Sequence, residues 1–217
     1  MNPKSWRIQK MKWTQAVLVG AVALAFSNAS LAVADQTIAG QTIAGQAPTD
    51  QTLIDLRAPD VARQWQVVND GVMGGVSKGQ FRLSEDGTLV FSGTLSLKNN
   101  GGFASIRCST IGHTLKADDS IVVTVKGDGR DYILNLYTKS RRMAFSYRAP
   151  LIVPAGDWAD LVVPLAAFVP TSFGRQVQGM GPVDPSQVRG IGFMLSDKKP
   201  GPFQLQVRSI SVRPAND

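Results

Sequence analysis

Apolar and polar residues alternate with a period of two along most of the chain. This pattern predicts strands over residues 88–97, 102–108, 120–127, 131–138, 142–149, 159–165, 189–197 and 203–212, most of them separated by Gly, Pro, Asp or Asn. No window of a dozen residues keeps a helical apolar stripe. Only 58–64, with Pro59 pre-set for a first turn, has the pattern for two helical turns. Eight or more short strands in a chain of this size bury their apolar faces by stacking two sheets. The predicted fold is therefore all-β, a jelly-roll-like β-sandwich, since parallel βαβ units have no helices to draw on here.

The N-terminal segment reads differently. Residues 1–34 hold Lys4, Arg7, Lys10 and Lys12, no acid, an apolar run over 16–26 and then Ala32-Val33-Ala34. A basic start, a short apolar stretch and an A-x-A site have the order of a secretory signal peptide, which predicts an exported, periplasmic protein beginning at Asp35. An uncleaved anchor reaching Leu31 is the alternative, and no membrane span is expected after cleavage. Residues 35–52, with QTIAG given twice, read as a flexible linker, and 53–214 as the sandwich domain.

The leader also changes the charge argument. Taking its four cations from 23 basic residues leaves 19 against 16 acids, so the net +7 of the whole chain falls to +3. The remaining cations are scattered or in pairs such as Arg141-Arg142, which excludes a nucleic-acid groove. Cys108 is the sole cysteine, so no disulfide forms within the chain. It reads as a small buried hydrophobe.

Catalytic motifs fail one by one. The stretch 65–79, WQVVNDGVMGGVSKG, has four glycines in its last nine positions, but Lys78 follows Ser77 in the reverse of P-loop order, and no helix follows for a dinucleotide fingerprint. His113 is the only histidine, which leaves a zinc or Ser-His-Asp site almost nothing to build on. Most acids stand beside Gly, Pro or other turn residues; a hydrolase using Asp70 or Asp197 is the weakest reading. No catalytic residue, metal or cofactor is assigned. Calcium in the Asp- and Asn-rich loops is kept open as a structural alternative.

Four motifs in order, VVNDGVMGGVSKG, FSGTLSLKNNGGFASIR, KGDGRDYILNLYT and IGFMLSDKKPGPFQLQV, resemble the complex I intermediate-associated protein 30 family from about Leu53 to Val212. The resemblance implies a galactose-binding-domain-like β-sandwich, related in shape to carbohydrate-binding modules and without known catalytic machinery. It also implies a role like that of the family's mitochondrial members, which assist assembly of NADH:ubiquinone oxidoreductase. The export signal and the lack of an attached dinucleotide-binding domain depart from that setting.

Alternation assigns the faces. Ala104, Ile106 and Cys108 turn to the core and Ser105 and Arg107 away from it; Tyr132, Leu134 and Leu136 oppose Asn135 and Tyr137; Phe145 and Tyr147 oppose Ser146 and Arg148. If the strands are neighbours, Arg107, Asn135, Tyr137, Ser146 and Arg148 line one polar face, suited to sugar hydroxyls or a peptide carboxylate. An ordinary solvated sheet face is the plainer reading.

The glycine-rich stretch reads as a corner. Gly71, Gly74 and Gly75 permit a tight backbone, and Val72, Met73 and Val76 turn inward as a plug. A ligand rim using Asn69 and Asp70 is the other reading. Asn100, Gly101 and Gly102 supply a second turn. Residues 168–187 form a long loop over one end of the sandwich. The functional expectation is a non-catalytic accessory protein whose partner is an unidentified protein, with a glycan as the alternative ligand.

Overall fold

A computed structural model describes residues 49–140 and 143–215. Thirteen strands run in chain order: β1 Gln51–Ile54, β2 Trp65–Asn69, β3 Lys78–Leu83, β4 Leu89–Leu95, β5 Ala104–Cys108, β6 Ser120–Lys126, β7 Asp131–Thr138, β8 Phe145–Ile152, β9 Ala159–Pro164, β10 Val169–Ser172, β11 Arg175–Gln176, β12 Val188–Leu195 and β13 Gly201–Arg213. They form two antiparallel sheets. One has the order β3-β4-β13-β6-β9 with β1 also on β13; the other has β11-β10-β8-β7-β12-β5-β2. The expected leader and the QTIAG repeat lie outside the described residues. Among those described, no helix is long and apolar enough to cross a membrane.

Period-two patterning builds the interior. Phe91, Ile121, Val123, Val125, Phe203, Leu205 and Val207 from the six-stranded sheet face Ile106, Tyr132, Leu134, Leu136, Ile191, Phe193 and Leu195 from the seven-stranded one, all buried. Phe91 meets Phe203 edge-on at 4.9 Å, and Trp65 stacks on Phe193 at 6.3 Å. Burying each such ring or aliphatic chain contributes roughly 1.5–3 kcal/mol. In β13 the buried residues shift from odd to even positions, Val207 to Ile210, because the register slips between Val207 and Ser209. A bulge there keeps the long strand's apolar face on the core through its bend.

Two expectations change. The helical pattern over 58–64 yields one 3-10 turn, Val61–Gln64. The long loop does not simply drape over the sandwich: β10 pairs with β8, and β11 turns back on β10, extending the seven-stranded sheet. The hairpin closes through Phe173 and Gly174, with φ of 47° and 76°. Two consecutive left-handed residues give a two-residue turn whose twist matches the strands, but Phe in the first place is strained.

Candidate functional site

A cleft of about 430 Å³ opens on the outer face of the seven-stranded sheet. Its floor comes from outward positions of adjacent strands. Val68 lies on β2, Arg107 on β5, Met194 on β12, Tyr137 on β7, and Ser146 and Arg148 on β8. Its mouth is apolar: Val72, Met73, Met143 and Phe173 line it and are 73, 56, 74 and 59% exposed. Two mouth residues, Phe173 and Ala144, hold positive φ without being glycine. Such strain persists only where surrounding structure imposes it.

Register brings the expected polar residues together. Arg107 pairs across to Gly192, Gly192 to Asn135, and Asn135 to Arg148, so the two arginines share one row, which runs on to Gln66 of β2 and Val169 of β10. The row's centre is low. A Cβ on Gly192 would stand 2.4 Å from the Ile106 carbonyl oxygen and 3.1 Å from the Tyr137 ring. Gly190, one step along the same face, would place a Cβ 2.3 Å from the Cys108 oxygen. Both glycines therefore let neighbouring backbone and side chains close in over a central strand. The sequence signal, glycines at i and i+2 inside a strand, was present in RGIGFML but was not read as part of a site.

Each polar group has a definite state. Arg107 lies over the Tyr137 ring at 5.0 Å. Ser146 Oγ donates to Asn135 Oδ1 at 3.0 Å, and Arg148 Nε donates to Ser146 Oγ at 3.1 Å. Asn135 and Ser146 are buried supports rather than open donors. In contrast, Arg107 Nε and the Tyr137 hydroxyl are buried without a hydrogen-bond partner. Burial pushes the Tyr137 phenol up, against the pull of Arg107 and Arg148, so it stays protonated and able to donate. Burial lowers Arg148, Tyr137 opposes this, and Arg107 adds to the lowering. Among the described residues no carboxylate lines the cleft.

Asn69 and Asp70 lie behind the mouth, not in the cleft. Asp70 is fully buried. Its Oδ1 accepts from the Ser77 N–H at 2.9 Å, and its Oδ2 from Ser77 Oγ at 2.6 Å and the Gly102 N–H at 2.7 Å. Burial raises its carboxyl pKa, but these bonds outweigh it and hold the group below its ordinary value. The ligand-rim reading of Asp70 therefore gives way to a structural one. Its carboxylate ties the 70–77 corner to the turn containing Asn100, Gly101 and Gly102. Asn69 Nδ2 donates to the Gly79 oxygen at 3.0 Å, joining β2 to β3.

The corner glycines have matching reasons. A Cβ on Gly75 would sit 2.3 Å from Asp70 Cγ, and one on Gly101 would sit 2.5 Å from Asp70 Oδ2, while Gly74 adopts φ +88°. Gly71 has open space around it. Asn99 and Asn100 take φ of 56° and 57°, a conformation asparagine tolerates well. The inward plug is not formed: Val72, Met73 and Val76 are exposed, and the buried group of the corner is the Asp70 carboxylate instead. Asp197 is likewise engaged, accepting from Arg130 Nε at 2.9 Å and Nη2 at 2.7 Å. Burial raises its pKa, but Arg130 more than compensates and holds it low. Neither acid lines the cleft, and both are shifted away from what a proton donor near neutral pH requires.

The family model described as Complex I intermediate-associated protein 30 matches residues 54–207. The mitochondrial protein of that name from Drosophila melanogaster is 28% identical over 182 residues, 74% of this chain and 62% of its own. Its counterpart from Mus musculus is 26% identical over 171 residues, 69% and 52% of the two chains. This chain thus spans about half to three fifths of the length of these relatives. In three dimensions it is similar to a family 11 carbohydrate-binding module of Clostridium thermocellum, with TM-score 0.60 and 17% identity, covering 79% of this chain and 99% of the module. That likeness concerns the fold. The expectation of an exported, periplasmic protein is corrected here: the relatives are named as mitochondrial, and the leader that prompted it falls outside the described residues.

Proposed function

Because the chain belongs to the complex I intermediate-associated protein 30 family, we propose that it is a non-catalytic accessory factor that helps assemble NADH:ubiquinone oxidoreductase by holding a protein partner on its preformed sandwich. The observation that carries this reading is the family match over 54–207, which takes in nearly the whole sandwich. The exposed mouth residues Val72, Met73, Met143 and Phe173 support it, since large apolar side chains gathered at one place are covered in a complex.

The test is cross-linking of the full, tagged chain in its source cells, followed by identification of the captured proteins, beside native-gel analysis of the oxidoreductase in cells lacking the chain. Subunits of that enzyme are expected in the cross-links, and its assembly intermediates are expected to accumulate. Phe173→Asp with Met143→Asp should abolish capture in a folded protein. Normal enzyme levels without the chain, and no subunit above background, would remove the reading.

A glycan is the second reading. It is favoured by the Tyr137 ring on the sheet face and by a neighbour whose structure is described in complex with a β-1,3-1,4-mixed-linked tetrasaccharide. Calorimetry with mixed-linked β-glucan separates the two. A glycan reader releases heat that Tyr137→Ala eliminates, whereas the assembly factor gives none.

A further inference from the structure

The floor of the cleft sets two arginines around Tyr137, and neither reading uses those arginines. Arg107 and Arg148 lie on one cross-strand row, three strand spacings or about 14 Å apart at their backbones. Between them the row holds only Gly192 and the buried Asn135, so two long side chains can lean toward a common centre. Tyr137 belongs to the same floor. Its ring lies under Arg107, and its hydroxyl is buried with no partner. Arg107 Nε is also unpaired, and no acid among the described residues forms an ion pair with either arginine.

This inventory is one-sided. Guanidinium groups only donate, and a protonated phenol with an unused hydrogen donates as well. Neutral sugar hydroxyls need acceptors as much as donors; Asn135 Oδ1 and Ser146 Oγ are already engaged, which leaves the Ser196 hydroxyl as the acceptor side chain in the lining, against two guanidiniums and a phenol. An anion needs donors alone, and it relieves the repulsion of two like charges held in a partly desolvated trough. The rest of the lining is largely apolar, Val72, Met73, Met143 and Phe173 among it. A volume of about 430 Å³ suits a ligand of modest size.

We infer that the cleft binds an amphiphilic anion. One carboxylate, phosphate or sulfonate head sits among Arg107, Arg148 and Tyr137, and the apolar body lies against Met143 and Phe173. The inference does not rest on the assembly reading, although both use Met143 and Phe173, and it stands if that reading falls. Such a head belongs either to a free long-chain acid or to an anionic phospholipid, and the experiment has an arm for each source.

The full chain is titrated with 1-anilinonaphthalene-8-sulfonate and with N-phenyl-1-naphthylamine, two fluorophores sharing an apolar body of which only the first is charged. The charged probe should bind at least about tenfold more tightly, and R107Q/R148Q should erase that preference while leaving the neutral probe nearly unchanged. Laurate, but not dodecanol, should displace the charged probe. Tyr137→Phe should weaken the anion severalfold without altering the melting temperature, which keeps the test open if the double variant misfolds. In the second arm, flotation with phosphatidylglycerol vesicles that depends on both arginines assigns the head to a lipid. Laurate binding without flotation assigns it to a free acid. Equal affinity for the two probes, or charged-probe binding that survives both R107Q/R148Q and Tyr137→Phe, would overturn the inference.

Discussion

The corner around Asp70 and the floor around Arg107 and Arg148 both hold charge out of full contact with water, one buried and the other half-buried on the outer face of a sheet, and they do so in opposite ways. At the corner the carboxylate receives donors from Ser77 and Gly102, chain segments well apart in sequence. At the floor, two guanidiniums share a trough with an unpaired phenol and no acid. A buried charge with its partners present holds backbone together. A buried charge without them is kept at a cost and leaves room for something to bind. The contrast also explains why substitution should affect stability at one place and recognition at the other.

The largest effect is expected at the corner. Asp70→Ala strands the Ser77 and Gly102 N–H groups in a buried place and should lower unfolding free energy by about 3–5 kcal/mol, read from urea denaturation. If the loss is under about 1 kcal/mol, the corner is not held by its carboxylate. The same group predicts a pH dependence. Its folded-state pKa lies below the ordinary 3.8, so its stabilising contribution is present above that value and is lost as pH falls through the folded pKa. The stability gap between the parent and Asp70→Asn should therefore narrow below about pH 4, and urea midpoints at pH 6 and pH 3 check it.

Next come the glycines packed on that carboxylate. Gly75→Ala and Gly101→Ala, whose methyls would meet Asp70 at 2.3 and 2.5 Å, should each cost about 1–3 kcal/mol, whereas Gly71→Ala, with open space around it, should be nearly neutral. Thermal melts of the three distinguish close approach from general glycine flexibility. At the mouth of the cleft, Phe173→Asn should stabilise the protein by about 1 kcal/mol, because asparagine accepts the left-handed first position of a two-residue hairpin that phenylalanine occupies under strain. The smallest effect sharpens the comparison most. Arg148→Met exchanges a half-buried cation that has no counter-ion, only the Ser146 hydroxyl, for a similar apolar volume and should leave stability within about 0.5 kcal/mol of the parent, or raise it. A loss of several kcal/mol would make the floor a structural network like the corner.

The division between what was readable and what was not follows the same line. Alternation in DYILNLYT and GFASIRC placed Tyr137 and Arg107 on the outer face, since the period is a local property of each strand. It could not tell that Asn135 and Ser146 would be covered, because that depends on the side chains of adjacent strands leaning over them. The turn chemistry of Asp70-Gly71 read as a corner, with a ligand rim at Asn69 and Asp70 as the other reading, and neither predicted a buried carboxylate. The donors that bury it come from Ser77 and from Gly102, 32 positions away. Residues 168–187 looked like a loop over one end of the sandwich, and the pairing of β10 with β8 and of β11 with β10 turned part of it into a hairpin that puts Phe173 at the mouth of the cleft.

Taken alone, the order of residues determined an antiparallel sandwich, most of its strands, the inward face of each and the family to which they belong, because local geometry and apolar burial suffice for those. Tertiary structure decided the rest. Only strand register set Arg107, Gly192, Asn135 and Arg148 in one row, and only the approach of distant loops gave Asp70 its donors. Pairing partners and desolvation are properties of the packed whole, with no counterpart in any short stretch of chain.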